Sequence, residues 1–447
     1  MQANRIRDEL RELAGLMLPL ALVQVGYTAL GFVDTAIAGL DSGVTIAGVG
    51  LGGGLFYSVA VLGSGTALVV DPLVSQALGA GDRVHARRVL WNGIYLAAVI
   101  TVPLTMVMLM TALSLTTFGV QPEVAEGTFA YLLGRAVSLF PLICAVTMRG
   151  YLQASGHPRA ILWAVLVANL LNGPLSYLFL PRYGALGVGV AATIGTLGQL
   201  VILAWVVSRV PVPEGTEERY RRFDRVLFAQ QVRVGMPIGL QMFAEIGAFV
   251  LVGVLMARIS SVAIAGHQVA LMFASISFSV CVGMGSATSV QVGRAIGAGD
   301  SVKTRRVGML GLLLGGVIML LPSVVMTVIP DIVVRLMTRD PEIIEQAAIF
   351  LRIAAVFQIV DGVQAVGAGA LRGAGMTRVS FAANLVGHWI IGIPLALLLT
   401  FGLDLGPAGL WWGLTVGLAV VATWLAVAFW QASKQPIVAL RRDTAHG

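Results

Sequence analysis

Four carboxylic acids stand inside long apolar stretches of this 447-residue sequence: Asp34, Asp71, Glu245 and Asp361. A carboxylate taken out of water needs a counter-charge or hydrogen-bond donors, or it must be neutralised. Proton uptake and metal-cation binding both neutralise it, and a group that ferries cations through a bilayer must do one or the other. Glu245 lies in MPIGLQMFAEIGAF, eight residues past Pro237, which is about 12 Å along a helix. Asp361 lies in FQIVDGVQAVGAGALRG, near the middle of its stretch. The pair reads as a cation-coupling site, a proton carrier or a set of Na⁺ ligands. The plainer reading is two carboxyls hydrogen-bonded to backbone or to a nearby Gln.

Other polar residues accompany these acids. Gln241, Gln358 and Gln364 fall about one turn from the two carboxyls, placed to orient them or to line a cavity. Asp34, in GFVDTAIAG, reads either as a third coupling carboxyl or as a water-facing residue of an outer vestibule. Asn172 and Ser176, in NLLNGPLSY, read as cavity-lining groups, although such residues also serve helix packing alone. Asp71 precedes Pro72 and reads equally as an interfacial partner of Arg83, Arg87 or Arg88. His267 and His388 are isolated and read as structural; Cys144 and Cys281 have neither disulfide nor metal spacing.

The elements holding these residues must cross a membrane. Hydrophobic residues make up 57% of the chain and charged residues 11%, and mean hydropathy is +0.89. Charge at half the density of a soluble domain cannot cover a solvated surface. Alternating segments of about ten residues, the mark of a membrane barrel, are missing. The 54 glycines, scattered through the apolar runs, suit close helix packing. The expected class is therefore all-α integral membrane, with about twelve transmembrane helices in two pseudo-symmetric six-helix lobes. Spans are expected near 14–39, 47–74, 90–115, 128–148, 160–180 and 185–208, then 230–257, 264–291, 306–329, 346–370, 378–402 and 407–431. The corresponding domains are a lobe at 1–209, a cytoplasmic linker at 210–229, a lobe at 230–432 and a cytoplasmic tail at 433–447. The charged N-terminus reads as an amphipathic lead-in to the first span.

With both termini inside, the inner connections carry 22 Lys and Arg and the outer ones 4, the positive-inside bias. The net charge of +7 therefore reports membrane orientation, and no nucleic-acid partner is expected. Nor is a cofactor: the GAGD loops lack the context of a phosphate-binding loop. The chain is expected to work as a monomer in the bilayer of a bacterial inner membrane.

The halves repeat. SQALGAGDRVHARRV (75–89) matches GRAIGAGDSVKTRRV (293–307) at an offset of 218, with nine identities in fifteen. Pro19 pairs with Pro237 at the same offset, Gly156 with Gly375 and Gly184 with Gly406 at slightly larger ones. An offset of six spans makes the repeat parallel, and sites in such carriers lie near the midplane where repeats meet. The acids do not repeat: Asp34 aligns with Val252, Glu245 with Tyr27 and Asp361 with Leu142.

With FVDTAIAG (32–39), PLVSQALGAGD (72–82), VGRAIGAGD (292–300) and GALRGAGMTR (369–378), nearly the whole chain resembles the multidrug and toxic compound extrusion (MATE) family. Glu245 with Asp361 is similar to its NorM-type bacterial branch. The resemblance implies two six-helix lobes around a V-shaped cavity, working by alternating access. It implies export of cationic, aromatic or amphipathic compounds against inward Na⁺ or H⁺. On it, Glu245 and Asp361 form the second lobe's cation site, and Asp34 is the acid of the first, implicated in proton or cation coupling and drug release, with Asn172 near it. Where the family often has an acid or amide one turn after that asparagine, this chain has Ser176, and Asp71 is also a departure. The alternative is a flippase for lipid-linked precursors, which needs a basic cavity; the basic residues within or beside spans are Arg135, Arg233 and Arg352. A membrane enzyme or a channel finds no clustered metal-type spacing and no filter-like loop in the sequence.

Overall fold

The computed structural model describes residues 2–440, with side chains from Glu12 onward except Phe32. The side chains of the N-terminal lead-in through Arg11, and residues 441–447 of the tail, lie outside the described residues.

Twelve elements carry the fold: α1 (Gln2–Ala38), α2 (Gly43–Gly79), α3 (Arg83–Leu113), α4 (Pro122–Ala136), α5 (Leu139–Ala154) and α6 (Pro158–Arg209), then α7 (Arg225–Ile259), α8 (Ser261–Gly297), α9 (Ser301–Val328), α10 (Pro341–Gly373), α11 (Thr377–Gly402) and α12 (Pro407–Ala432). Ten helices among the described residues are long and apolar enough to cross a membrane, and α4 with α5, bent by 50°, makes an eleventh. The sequence places one span near 128–148, and the bend found there has a local cause. Pro141 has no N–H for the Val137 carbonyl, and Ser138 Oγ donates to the Arg135 carbonyl at 2.6 Å.

At 52 residues, α6 would run about 78 Å if straight, more than twice the hydrocarbon thickness. It breaks at Gly184 (φ 56°, ψ −141°), between the two spans the sequence predicts. Gly406 adopts almost the same angles (φ 60°, ψ −150°) just before α12. Only glycine tolerates that region without strain.

The internal repeat is reproduced in the helix ends. Gly81 and Gly299 take φ of 78° and 74°, and each donates its N–H to the carbonyl three residues back, at 3.0 Å. The following Asp82 and Asp300 each accept from the backbone N–H three residues on, at 2.8 Å. GAGD is thus a helix stop joined to an N-cap. Gly156 and Gly375 close α5 and α10 in the same left-handed conformation.

The chain divides into two compact units, one of residues 22–239 with Leu440, the other of residues 2–21 with 240–439. The division follows Ala21 and Gly239, positions 218 apart and each two residues past the repeated proline. In the first unit, a Cβ at Gly239 would meet the Leu62 carbonyl at 2.5 Å; in the second, a Cβ at Gly283 would meet the Ala21 nitrogen at 2.6 Å. Bare backbone lets the start of α7 lie on α2, and the start of α1 lie on α8. His267 and His388 both sit in the second unit. His267 is fully buried, 5.6 Å from the Trp411 ring, and His388 Nδ1 lies 3.3 Å from the Asn384 carbonyl.

The break at Gly184 yields a prediction. Gly184→Val and Gly406→Val each lower stability by about 1–3 kcal/mol through backbone strain, read as a reduced thermal midpoint of the purified protein in detergent. Gly53→Ala, where a Cβ meets nothing within 4 Å, leaves the midpoint unchanged or slightly higher.

Candidate functional site

In the first unit the acid is Asp34, near the end of α1. Its side chain is buried, at 4% residue exposure, and two other helices supply its partners. Asn172 of α6 donates its Nδ2 to Asp34 Oδ1 at 2.7 Å. Tyr131 of α4 donates its hydroxyl to Oδ2 at 3.3 Å. Arg135, one turn along α4, places Nη1 3.7 Å from the same Oδ2. Ser176 Oγ donates to Asn172 Oδ1 at 3.3 Å, holding the amide with its nitrogen towards the acid. Asp34 therefore lies in a closed polar cluster, not in a water-facing vestibule, and Asn172 and Ser176 belong to its hydrogen-bond chain.

Small residues bring α4 this close to α6. A Cβ at Gly134 would lie 2.7 Å from the Leu186 carbonyl, and one at Gly189 would fall on the Tyr131 carbonyl. Thr193 Oγ1 donates to the Gly134 carbonyl at 2.7 Å. Tyr131 and Arg135 are four residues apart and so share one helix face. Arg135 is in the last turn of α4, where the helix dipole favours a cation. Its Cζ lies 4.2 Å from the centroid of the Phe56 ring of α2, a cation–π contact.

The second unit solves the same problem differently. Glu245 of α7 accepts from Asn384 Nδ2 at 3.0 Å and from Gln364 Nε2 at 3.4 Å, both on Oε2. Gln364 is three residues from Asp361 on α10, and Asp361 is buried within electrostatic reach of Glu245. The structure thus brings Glu245, Asp361 and Gln364 together. Gln241, buried one turn before Glu245, makes no hydrogen bond to either carboxyl among the described residues. Gln358 turns away: its Nε2 donates to the Ala274 carbonyl at 3.2 Å. Neither Glu245 nor Asp361 has a cationic side chain as partner among the described residues.

Asn384 marks a change in α11, which runs on through π-helical turns at Leu385–Gly392 and Leu398–Gly402. Pro394 leaves the Ile390 carbonyl without its usual donor, and wider turns accommodate such gaps in membrane helices. Trp389 Nε1 donates to the Ala244 carbonyl at 3.0 Å, tying this segment to α7 beside Glu245.

Asp71 is fully buried, and a Cβ at Gly150 would fall on its Oδ1. Two of the arginines considered for it are engaged elsewhere. Arg87 Nη2 donates to the Val207 and Val210 carbonyls, each at 2.9 Å. Arg88 donates Nε to the Arg219 carbonyl at 3.0 Å and lies 3.7 Å from Asp224.

Sequence reasoning passed over Tyr131 and Asn384, and it weighed Arg135 only as a stray basic group. The four-residue spacing in YLLGR and the amide within an apolar run at Asn384 were the available signals.

Comparison with known proteins supplies the relationships. The MatE family model matches twice, at residues 19–178 and 237–398, so both matches start at the repeated prolines. The chain is 34% identical to the probable multidrug resistance protein NorM of Deinococcus radiodurans, across 94% of this chain and 95% of that protein. It is 33% identical to the multidrug resistance protein NorM of Burkholderia vietnamiensis, across 96% and 95%. Among solved structures, MATE in its bent conformation superposes with a TM-score of 0.87 at 19% identity, covering 96% of this chain and 98% of that one. A MOP superfamily transporter from Pyrococcus furiosus, reported with a binding pocket of reversed polarity that suggests a different function, gives 0.86 at 18%, covering 96% and 97%. The NorM relatives are named as multidrug resistance proteins, and the Pyrococcus furiosus protein as a transporter. With both halves matched by the family model and full-length relatives above 30% identity, this chain is a multi-pass membrane transporter of the MatE family.

Proposed function

We propose that this transporter is a secondary antiporter that exports cationic or amphipathic organic compounds in exchange for Na⁺ or H⁺. One observation carries the reading: Glu245, held by two amide donors, lies within electrostatic reach of the buried Asp361, with no cationic side chain on either among the described residues. Two neighbouring buried carboxyls without a cationic partner form an anionic site that a proton or Na⁺ completes. Gln364 and Asn384 orient Glu245, and Asp361 supplies the second carboxyl. Asp34 is the acid of the other unit, with its own partners.

Coupling requires that the cation stabilise one access state more than the other. Alternating access supplies such states: the site faces one side with the cation bound and the other without it. One charge moving across about 100 mV releases about 2.3 kcal/mol, enough to concentrate a substrate by tens of fold. Organic cargo is read from the names of the NorM relatives. The protein is read as a monomer in the inner membrane of a bacterium, with both termini cytoplasmic.

The flippase reading needs basic groups free to hold phosphate. Arg135 is engaged with Asp34, Arg352 lies 4.0 Å from Asp331, and Arg233 is exposed. These placements weigh against it.

In reconstituted vesicles, an imposed Na⁺ or H⁺ gradient drives export of a fluorescent cationic dye. Glu245→Gln and Asp361→Asn each reduce that export at least tenfold while the protein remains folded. Normal gradient-driven export by both variants would remove the second-unit site. Dye movement under neither gradient would return the flippase reading to favour.

Orientation is tested separately with a membrane-impermeant maleimide, because the native Cys144 and Cys281 are buried. Glu123→Cys is labelled from outside in intact spheroplasts; Glu214→Cys is labelled only in inverted vesicles. The reverse pattern would overturn the proposed topology.

A further inference from the structure

We propose that Arg135 is a resident counter-ion that occupies, on Asp34, the place a transported cation would otherwise take. The inference rests on the antiport reading above and assigns cation exchange to the second unit alone. Its ground is a difference between the two acid sites. Glu245 has two amide donors with Asp361 as its neighbouring acid and no cationic partner among the described residues, whereas Asp34 has a guanidinium 3.7 Å from Oδ2.

Several features fix Arg135 there. Its guanidinium rests on the Phe56 ring at 4.2 Å, and its side chain is only 16% exposed. Its carbonyl receives both the N–H and the hydroxyl of Ser138, at 2.9 and 2.6 Å, locking the end of α4. The glycine contacts of Gly134 and Gly189 hold that helix against α6. Arginine does not lose its proton in proteins, so its charge persists whatever the ion gradient. Asp34 and Arg135 together are neutral. A cation added to Asp34 would leave a buried guanidinium without a counter-charge, and breaking such a pair is strongly unfavourable. Asn172 and Tyr131 already occupy the carboxylate oxygens from other directions.

Arg135 is thus a specificity-determining residue for how many charges each export cycle moves. If it is neutralised, Asp34 becomes an open carboxylate able to take one more cation per cycle. The test is the equilibrium accumulation of a monovalent cationic dye in vesicles at a fixed membrane potential, for wild type, Arg135→Gln and Asp34→Asn/Arg135→Gln. One further elementary charge per cycle multiplies the accumulation ratio about 50-fold at about 100 mV. The expected result is that increase in Arg135→Gln and a return to the wild-type ratio in the double variant. If Arg135→Gln transports nothing, restored transport in the double variant at the wild-type ratio supports charge compensation equally. A wild-type ratio in an active Arg135→Gln would overturn the proposal, as would a double variant that is folded yet fails to restore transport. Loss of transport in wild type itself would instead count against the antiport reading.

Discussion

A charge inside a low-dielectric medium must be compensated, and that constraint organises both units of this transporter. On biological insertion scales, an Asp or Arg at the centre of a membrane helix costs about 2.5–3.5 kcal/mol. Asp34 meets the constraint with a guanidinium, a phenol and an amide. Glu245 meets it with two amides, and Asp361 lies nearby as a second acid. The first arrangement is complete from the protein's own side chains. The second has no cationic side chain among the described residues, and in the antiport proposal a mobile cation completes it.

The two units share a backbone plan and differ in chemistry. Helix stops at Gly81 and Gly299, caps at Asp82 and Asp300, and breaks at Gly184 and Gly406 recur with nearly equal angles and distances. These features belong to chain direction, and a duplicated fold keeps them. The acids, the amides and Arg135 belong to packing faces, which each unit has filled in its own way. Glycine connects the two levels: contacts such as Gly134 on Leu186 bring backbones close enough for short side chains to reach one another.

Much of this was legible from residue order. Apolar runs bounded by basic turns mark the spans, and the second half repeats the first in its GAGD turns and prolines. The embedded acids Asp34, Glu245 and Asp361 stand out because lipid tolerates few of them. The bend between α4 and α5 was not legible, since Ser138 and Pro141 act together only once the helix is formed. Partners were harder still. Asn172 reaches Asp34 across 138 residues of sequence, and no local pattern encodes which faces of distant helices meet. Arg135 was visible as an anomalous charge, but its role depends on that meeting. Gln358, one turn from Asp361, shows the converse: proximity along a helix did not predict where its amide points.

The central claim is that the exchanged cation is held by the second unit's carboxyls. Radiolabelled Na⁺ binding to purified protein, with proton release on dye addition followed in parallel, measures this directly. Asp34→Asn should retain whichever cation signal wild type gives, and Glu245→Gln/Asp361→Asn should lose it. The opposite result, with the signal lost in Asp34→Asn and kept in the second-unit variant, would contradict the account.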